Sequence, residues 1–333
     1  MIYQRVKIQR YESPLPSELI DELLSFWEEI FNTPYESFRP ILAGEENSHH
    51  HDSFFISREG NDLAGTSHLT VCRRLRSLGG LGEVATPSAY RQRGIASELC
   101  RLALEEFQSK GGNAIFLGTS NPAARRIYHR LGWRKLAGTN VMTSISDGRS
   151  PEEYLVDYFR PGDNAAPERV TIEEISASAR IPVIPLLVNP HDWQVLDANA
   201  RLFSTRYELQ GGCMSLYPRY QNIARDGSGI GFAATLPDNR IVGLSSARQD
   251  ETGRAQIDGF AHHNFSDCLK ALTEAAIHWC MDKAATSCFA AASIEDEEKQ
   301  SAFEALGFIR GEQGKPFEIS GREVTSVILE MEL

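Results

Sequence analysis

Several kinds of sequence signal are missing from this 333-residue chain, and each absence excludes a class of protein. No run of about 18 apolar residues occurs, which excludes a typical membrane-spanning helix. The first residues, MIYQRVKIQRYE, alternate polar and apolar types and lack the apolar core of a signal peptide. A P-loop lysine motif and a complete GxGxxG are also absent, so no phosphotransferase or dehydrogenase is indicated. We therefore expect a soluble, cytoplasmic protein with no membrane partner.

Cysteine pairs and an excess of positive charge are absent too. The six cysteines show no CxxC spacing, which favours buried thiols in a reducing compartment over disulfides or zinc ligands. They are Cys72, Cys100, Cys213, Cys268, Cys280 and Cys288. The formal net charge of −11 argues against a nucleic-acid partner, because phosphate binding requires clustered Lys and Arg. The same charge is compatible with a cationic amine substrate.

The length of the chain favours two domains, each large enough to bury its own core. A polar stretch bounded by Pro161 and Pro167 has the composition of a linker. We therefore predict a first domain at 1–160, a linker at 161–168 and a second domain at 169–333.

The first half alternates predicted strands and helices. Val6 and Ile8 alternate as in a strand, and the helical spacing of apolar residues after Pro16 predicts a helix. The turn-forming residues 58–62 separate two apolar runs, 54–56 and 63–71, which predicts a hairpin. A strand at 81–85, a helix at 94–107, a strand at 114–117 and a helix at 122–131 follow. Two apolar runs, 140–145 and 154–158, close this half.

The second half repeats the same coarse plan. It begins with a strand near 170–175 and a helix, and a hairpin near 229–246 follows. The rest alternates strands with helices at 266–281 and 294–306. Residues 121–133, NPAARRIYHRLGW, align without gaps with residues 296–308, DEEKQSAFEALGF, at an offset of 175 residues. Because this offset is about one domain length, it indicates an internal duplication.

Two motifs in the first half point to a bound diphosphate. Arg91, Gly94 and Ala96 follow a strand and open a helix, where unpaired backbone N–H groups and the helix dipole attract phosphate oxygens. Taken alone, this motif also describes a helix that merely begins with a basic turn. The second motif is a helix that Asn121 caps, with Pro122 at its first position and Gly132 just after its end.

With both motifs present, the chain resembles the GNAT superfamily of acetyltransferases. The resemblance is good over residues 63–145, extends by element order to 1–160, and is degenerate over 168–333. It implies an α/β (α+β) fold of two tandem GNAT-like domains. Each would have a central mixed, mostly antiparallel sheet flanked by helices, and its two central strands would separate so that the pantetheine arm of acetyl-CoA lies between them.

The resemblance also implies which residues bind acetyl-CoA. Backbone groups near Val84 and Thr86 would bond the pantetheine amides, N–H groups of 92–97 would hold the diphosphate, and Asn121 and Tyr128 would face the pantetheine and sulfur. The cofactor-binding residues predicted in this way are Val84, Ala85, Thr86, Arg91, Gln92, Arg93, Gly94, Ile95, Ala96, Ser97, Asn121, Ala124 and Tyr128.

Two side chains are candidates for the chemistry of acetyl transfer to an amine. Tyr128 would be the general acid that protonates the departing thiolate; the alternative is a core aromatic residue. Glu83 would remove the proton of the incoming amine, directly or through water; the alternative is a solvent-facing strand carboxylate. A backbone N–H near Val84 would polarise the thioester carbonyl.

Other residues are less informative. The run His49 to Asp52 suggests a metal site, but adjacent side chains point in different directions, so a polar loop is favoured and no metal is predicted. His51 is a further candidate for the acceptor pocket. In the second half the RxxGxA motif is missing between 257 and 276, Phe303 replaces the tyrosine, and Lys299 replaces an alanine. A retained fold without cofactor use is therefore expected there.

The prediction from sequence is an N-acetyltransferase that moves an acetyl group from acetyl-CoA to a primary amine of a small molecule or peptide in a ternary complex. A non-catalytic acyl-CoA sensor or scaffold is the alternative, and a different diphosphate-binding protein is a third. The sequence leaves the acceptor and the oligomeric state open.

Overall fold

The computed structural model describes residues 7–162 and 170–333. Val6 and residues 163–168 of the expected linker lie outside the described residues. Among the described residues two compact units are present, one of residues 7–135 and 141–151 and one of residues 136–140, 152–162 and 170–333. These units are called the first and the second domain below.

The first domain contains a seven-stranded sheet with helices in the order that the sequence predicts. Its elements are β1 (Lys7–Glu12), α1 (Ser17–Phe31), α2 (Arg39–Leu42), β2 (His50–Glu59), β3 (Asp62–Cys72), β4 (Leu78–Ala85), α3 (Ile95–Ser109), β5 (Ala114–Gly118), α4 (Pro122–Arg130), β6 (Arg134–Lys135) and β7 (Val141–Ile145). The strands lie in the order β1-β2-β3-β4-β5-β7-β6.

The two central strands of this sheet separate after a short paired stretch. β4 and β5 run parallel and pair only from Leu78 with Ala114 to Gly80 with Phe116, although β4 continues to Ala85. The other neighbouring strands in the sheet are antiparallel. The open wedge between the ends of β4 and β5 confirms the separated strands that the resemblance implies.

The second domain has a second seven-stranded sheet. Its elements are α5 (Pro151–Tyr158), β8 (Thr171–Glu174), α6 (Val183–Val188), β9 (Val195–Asp197), β10 (Leu202–Phe203), α7 (Leu216–Ala224), β11 (Gly229–Thr235), β12 (Ile241–Gln249), β13 (Arg254–Ala261), α8 (Cys268–Asp282), β14 (Ser287–Ser293), α9 (Glu297–Ala305), β15 (Ile309–Gln313), β16 (Phe317–Ile319), β17 (Arg322–Val324) and β18 (Ser326–Glu332). The strands of the large sheet lie in the order β15-β18-β14-β13-β12-β11-β8, and β9 with β10 and β16 with β17 form two small pairs.

The central strands of the second sheet separate in the same way. β13 and β14 pair in parallel only from Arg254 with Ser287 to Gln256 with Phe289, whereas β13 continues to Ala261 and β14 to Ser293. A long helix follows the first central strand and a short helix follows the second in both domains. The structure therefore confirms two tandem GNAT-like domains with mixed, mostly antiparallel sheets.

Amphipathic helices cover these sheets because their apolar residues fall on one face. In α3, Ile95, Leu99, Ala103 and Phe107 are buried, and they belong to a core that includes residues of β3, β4 and β5. The apolar face of α1, including Leu23 and the fully buried Trp27, packs into a second cluster with β2 and β3.

Some local predictions are confirmed and others are wrong. All six cysteines are buried and free, as predicted. Residues 50–52 open β2, so the predicted polar loop at His49 to Asp52 is wrong for three of its four positions. The apolar run 140–145 is mostly strand β7, but 154–158 ends helix α5. Among residues 7–162 and 170–333, no helix is long and apolar enough to span a membrane.

Candidate active site

The turn between β4 and α3 contains the residues of the predicted diphosphate cradle. Gln92 and Gly94 both have positive φ, 63° and 80°, and Gly94 stands immediately before the first helical residue, Ile95. No heavy atom lies within 4 Å of the position that a Cβ on Gly94 would occupy, so the backbone there is open to a ligand. The unpaired N–H groups of the first helical turn can therefore approach an anion closely.

The two arginines of this motif bond to neighbouring residues of the turn. Arg91 Nε donates to the carbonyl oxygen of Thr86 at 3.0 Å. Arg93 forms a 2.7 Å ion pair with Glu59, and its guanidinium lies 5.2 Å from the centre of the Tyr90 ring. These contacts brace the turn, and the exposed guanidinium of Arg93 is engaged by Glu59.

Helix α4 has the caps that the sequence predicts. Asn121 Oδ1 accepts from the N–H groups of Ala123 and Ala124, at 2.9 and 3.4 Å, and Pro122 occupies the first helical position. Gly132 follows the end of the helix with φ of 92°. Asn121 is exposed and Ala124 is half-buried, so the start of α4 is accessible.

The Tyr128 side chain is 5% exposed and belongs to the main core of the first domain. Its ring lies 5.9 Å from that of Trp133. Burial raises the pKa of the phenol well above its usual range, and the neighbouring Cys100 adds to the increase. Tyr128 is therefore protonated over the physiological range of pH, and its hydroxyl can donate a hydrogen bond or a proton.

The fold brings several of the predicted cofactor residues together. Ile95 and Tyr128 are buried in one hydrophobic cluster, and Val84 and Ala124 pack against it. Because β4 and β5 are parallel, the starts of α3 and α4 follow the same edge of the sheet. The predicted diphosphate cradle and the predicted pantetheine residues thus border one wedge.

Glu83 lies at an irregularity of β4. The pairing with β3 shifts between Thr66 with Ala85 and His68 with Gly82, so that Glu83 and Val84 together oppose Ser67. Glu83 has φ of 46°, which is uncommon for a residue with a side chain. Thr66 Oγ1 donates to the Glu83 carbonyl oxygen at 2.7 Å and stabilises this conformation. A bulge of this kind reorients side chains beside a functional site.

A buried chain of polar groups continues from Glu83 into the sheet. Glu83 Oε2 lies 3.0 Å from His68 Nδ1, and His68 Nε2 lies 2.7 Å from Asp52 Oδ1. Thr70 Oγ1 donates to the same Asp52 oxygen at 2.7 Å. The side chains of His68 and Asp52 are fully buried, whereas that of Glu83 is 13% exposed. Sequence reasoning missed the roles of His68 and Asp52, because only strand pairing brings them to Glu83.

Aromatic rings enclose this histidine. The Phe54 ring stacks on His68 with centroids 4.5 Å apart, and Phe38 meets it edge-on at 5.4 Å. Burial lowers the pKa of His68, but the hydrogen bonds and charges of Asp52 and Glu83 raise it further, so that the net shift is upward. Burial and the charge of Glu83 also raise the pKa of the half-buried Tyr35.

The side chain of His51 belongs to a different cluster. His51 Nε2 lies 3.3 Å from Glu12 and 2.9 Å from Lys110 Nζ, and Lys110 in turn bonds Glu106 at 2.6 Å. Glu12, His51 and Glu106 are close enough to bind one metal ion, but Arg10 forms ion pairs with both glutamates. The cluster is therefore a surface ion-pair network.

A segment of the chain that borders the corresponding wedge of the second domain, residues 194–198, hydrogen-bonds to the side chains of Asp258, Asp296 and Lys299 and is called the wedge segment below. The N–H groups of Gln194 and Val195 donate to Asp296, at 2.8 and 3.1 Å. The N–H of Ala198 donates to Asp258 of β13 at 2.7 Å. Lys299 Nζ, on α9, donates to the Val195 carbonyl oxygen at 2.8 Å.

Comparison with known proteins found a matching family model and similar solved structures. Residues 18–133 match the model of the acetyltransferase (GNAT) family. A search of curated proteins found no match. Among solved structures, a probable acetyltransferase is 16% identical, with a TM-score of 0.40, and the match covers 50% of this chain and 93% of that chain.

Two other solved structures show a similar level of likeness. A mutant of the spermidine N-acetyltransferase from Vibrio cholerae is 12% identical, with a TM-score of 0.39, and covers 50% of this chain and 94% of that chain. A ribosomal-protein-S5-alanine acetyltransferase from Vibrio fischeri is 14% identical, with a TM-score of 0.39, and covers 49% of this chain and 93% of that chain.

Proposed function

We propose, from the premise that residues 18–133 form an acetyltransferase domain of the GNAT family, that the first domain transfers an acetyl group from acetyl-CoA directly to a primary amine. The observation that carries this proposal is the open wedge between β4 and β5, which the cradle at Gly94 and the start of α4 both border. The acceptor that we propose is a small molecule or peptide with a primary amine.

In this proposal the main chain holds the cofactor. The N–H groups of residues 92–97 bind the diphosphate, and Val84 to Thr86 at the end of β4 bond the pantetheine arm. Acetyl-CoA supplies a thioester whose carbonyl carbon is open to attack. Because Val84 lies in the bulge that begins at Glu83, its N–H is a candidate to polarise the thioester oxygen.

Glu83 is the proposed base, because an ammonium group must lose a proton before its nitrogen can attack. The Glu83 carboxylate is mostly buried, is fixed by one hydrogen bond to His68, and still has an exposed fraction that can meet solvent. These properties suit a general base, which must lie within hydrogen-bond reach of the proton that it removes.

Tyr128 is the proposed donor to the departing sulfur. A thiol normally has a pKa of about 8.5, so a phenol whose pKa is raised by burial is the weaker acid. We therefore propose that Tyr128 stabilises the thiolate mainly by a hydrogen bond, while the proton that the sulfur finally gains comes from the attacking amine. The products are the amide, coenzyme A and the proton that Glu83 passes to water.

The substitution Tyr128→Phe tests this assignment. We expect kcat to fall about ten- to a thousandfold, while the Kd of acetyl-CoA stays within about twofold, because the lost bond forms mainly in the transition state. Stopped assays of coenzyme A release with a panel of primary amines measure kcat, and calorimetry measures Kd. Unchanged turnover would remove Tyr128 from the mechanism.

The same panel separates the enzyme from the non-catalytic sensor. Wild-type protein that binds acetyl-CoA but releases no coenzyme A with amino acids, polyamines, aminoglycosides or peptide N-termini would favour the sensor. We also propose a cytoplasmic location, because six free buried thiols suit a reducing compartment.

A further inference from the structure

The polar chain behind Glu83 lies inside the sheet and has a defined order. Asp52 on β2, His68 on β3 and Glu83 on β4 come from three adjacent strands and are linked by contacts of 2.7 and 3.0 Å. Both ring nitrogens of His68 face a carboxylate oxygen, and the ring is clamped by Phe54 and Phe38. Such a ring has one orientation and can bond to both neighbours at once.

Charge balance decides the protonation of this chain. Two carboxylates without a cation between them would be costly here, since Asp52 is fully buried, Glu83 is mostly buried, and burial disfavours each charge. An imidazolium between them donates one hydrogen bond to each oxygen and leaves a single net negative charge. Asp52 and Glu83 both hydrogen-bond His68, and burial followed by the charge of Glu83 raises the pKa of the neighbouring Tyr35.

We propose that His68, held by Asp52, is a positioning residue that fixes Glu83 Oε2. This inference rests on the proposed function of the first domain. The other oxygen of Glu83 is then the atom that accepts one proton from the acceptor ammonium, which leaves a neutral amine to attack. Glu83 releases this proton to water through its exposed side, and His68 keeps both of its own protons throughout.

The substitution His68→Gln tests the positioning role. Without the imidazole ring, Glu83 Oε2 loses the partner that fixes it. We expect kcat to fall about a hundredfold through loss of position, with the KM of acetyl-CoA unchanged. An unchanged kcat, or a rise in the KM of acetyl-CoA that accompanies the fall in kcat, would overturn the proposal.

The substitution Asp52→Asn gives a second test that preserves shape. In wild-type protein, the nitrogen NMR shifts of His68 should show two protonated ring nitrogens at pH 7, and in the variant the ring should lose a proton at lower pH. A neutral ring in wild-type protein would overturn the inference. This readout needs no acceptor, so it separates failure of the positioning role from failure of the proposed acetyl transfer.

A second, independent inference concerns the wedge of the second domain. The wedge segment bonds to both sides of the gap, to Asp258 on β13 and to Ser293 and Asp296 at the end of β14. Asp296 and Lys299 occupy the positions of Asn121 and Ala124 in the aligned motif. Asn121 caps its own helix, whereas Asp296 is 5% exposed and accepts from the wedge segment instead.

The buried Lys299 strengthens this arrangement. Its ammonium group is fully buried, forms a 2.6 Å ion pair with Asp258 and donates to the carbonyl oxygen of Val195. Removal of one partner from a buried ion pair leaves the other charge uncompensated and strongly destabilises the fold. We infer that residues 194–198 occupy the place that pantetheine takes in the first domain, so that one chain binds a single coenzyme A.

This second inference rests on the proposed binding of coenzyme A by the first domain. Hydrogen exchange on the full chain tests it. Without ligand, the amides of Gln194 and Val195 should exchange slowly. Coenzyme A should then protect residues 84–97 and 121–128 and leave 258–268 and 293–303 unchanged, with one site per chain by calorimetry. Fast exchange at 194–195, a second site, or protection at 293–303 would overturn it. Absence of protection at 84–97 would instead contradict the proposed function.

Discussion

His68 in the first domain and His191 in the second are both buried, but their neighbours move their pKa values in opposite directions. Burial lowers the pKa of His68, but Asp52 and Glu83 raise it by more. The protonated ring therefore contributes its full stabilisation below about pH 6.5, the pKa of an unfolded histidine, and this stabilisation is lost as the pH rises through the pKa of the folded protein. Burial lowers the pKa of His191 to about 4, and the hydrogen bond to the Leu186 carbonyl opposes this only in part.

The second case predicts a pH-dependent loss of stability. Between about pH 6.5 and 4, His191 is protonated in the unfolded chain but neutral in the folded protein. The free energy of unfolding therefore falls as the solution is acidified. We expect the wild-type free energy of unfolding to fall by about 2 kcal/mol more than that of His191→Gln between pH 7 and pH 5. Denaturant titrations at the two pH values measure the difference, and equal losses in both proteins would contradict it.

Gly94 gives a prediction that separates strain from binding. Its φ of 80° is left-handed, and a Cβ there meets no atom within 4 Å, so Gly94→Ala should cost about 1 kcal/mol of stability through strain alone. The methyl group would also stand where the diphosphate must approach. We therefore expect the Kd of acetyl-CoA to rise at least about tenfold, which corresponds to about 1.4 kcal/mol.

Gly111 is the matched control for this substitution. It follows the other end of α3, has φ of 82°, and also has no atom within 4 Å of a Cβ. Gly111→Ala should therefore lose a similar stability and keep wild-type affinity. Equal affinity in the two variants would show that the cradle is not at Gly94.

Among the secondary-structure elements, α4 combines a cap with a proposed ligand contact. Replacing Asn121 with Ala removes the acceptor for two N–H groups and should cost about 1 kcal/mol. Asn121→Ser restores a cap but lacks the amide group that we propose faces the pantetheine. We expect Ser to recover the stability and leave acetyl-CoA binding weakened, as measured by thermal unfolding and calorimetry. If Ser recovered both the stability and the acetyl-CoA affinity, Asn121 would act only as a helix cap.

The elements show what a single sequence can predict. Caps, turns and apolar spacing act over a few residues, so the order of strands and helices in the first domain and both ends of α4 were predictable. The bulge at Glu83 depends on pairing with β3, and the contact of His68 with Asp52 spans 16 residues. Such contacts depend on strand register, which no local pattern in the sequence encodes.

The second domain shows the same limit in another form. The alignment of 121–133 with 296–308 predicted α9, and the missing motif predicted lost cofactor use. The wedge segment was not predicted, because nothing in residues 194–198 indicates that Asp296 and Lys299, about 100 residues later, bond to it. In the sequence, the replacement of a small residue by Lys299 indicates only lost cofactor use. In the structure, Lys299 is part of a buried ion pair.

For the whole molecule, two separate cores predict two units that respond differently to ligand. The first domain has its own clusters around α1 and α3, and the second has one that includes Phe303 and β14. A ligand that binds only the folded first domain at 100 times its Kd should stabilise that domain by about 2.7 kcal/mol. Scanning calorimetry of the full chain with coenzyme A should therefore move one unfolding transition upward and leave the other in place.

In Gly94→Ala the shift should shrink at the same ligand concentration, whereas in Gly111→Ala it should match wild type. A transition of the second domain that moved independently in Gly94→Ala would place a coenzyme A site there and contradict its self-occupied wedge.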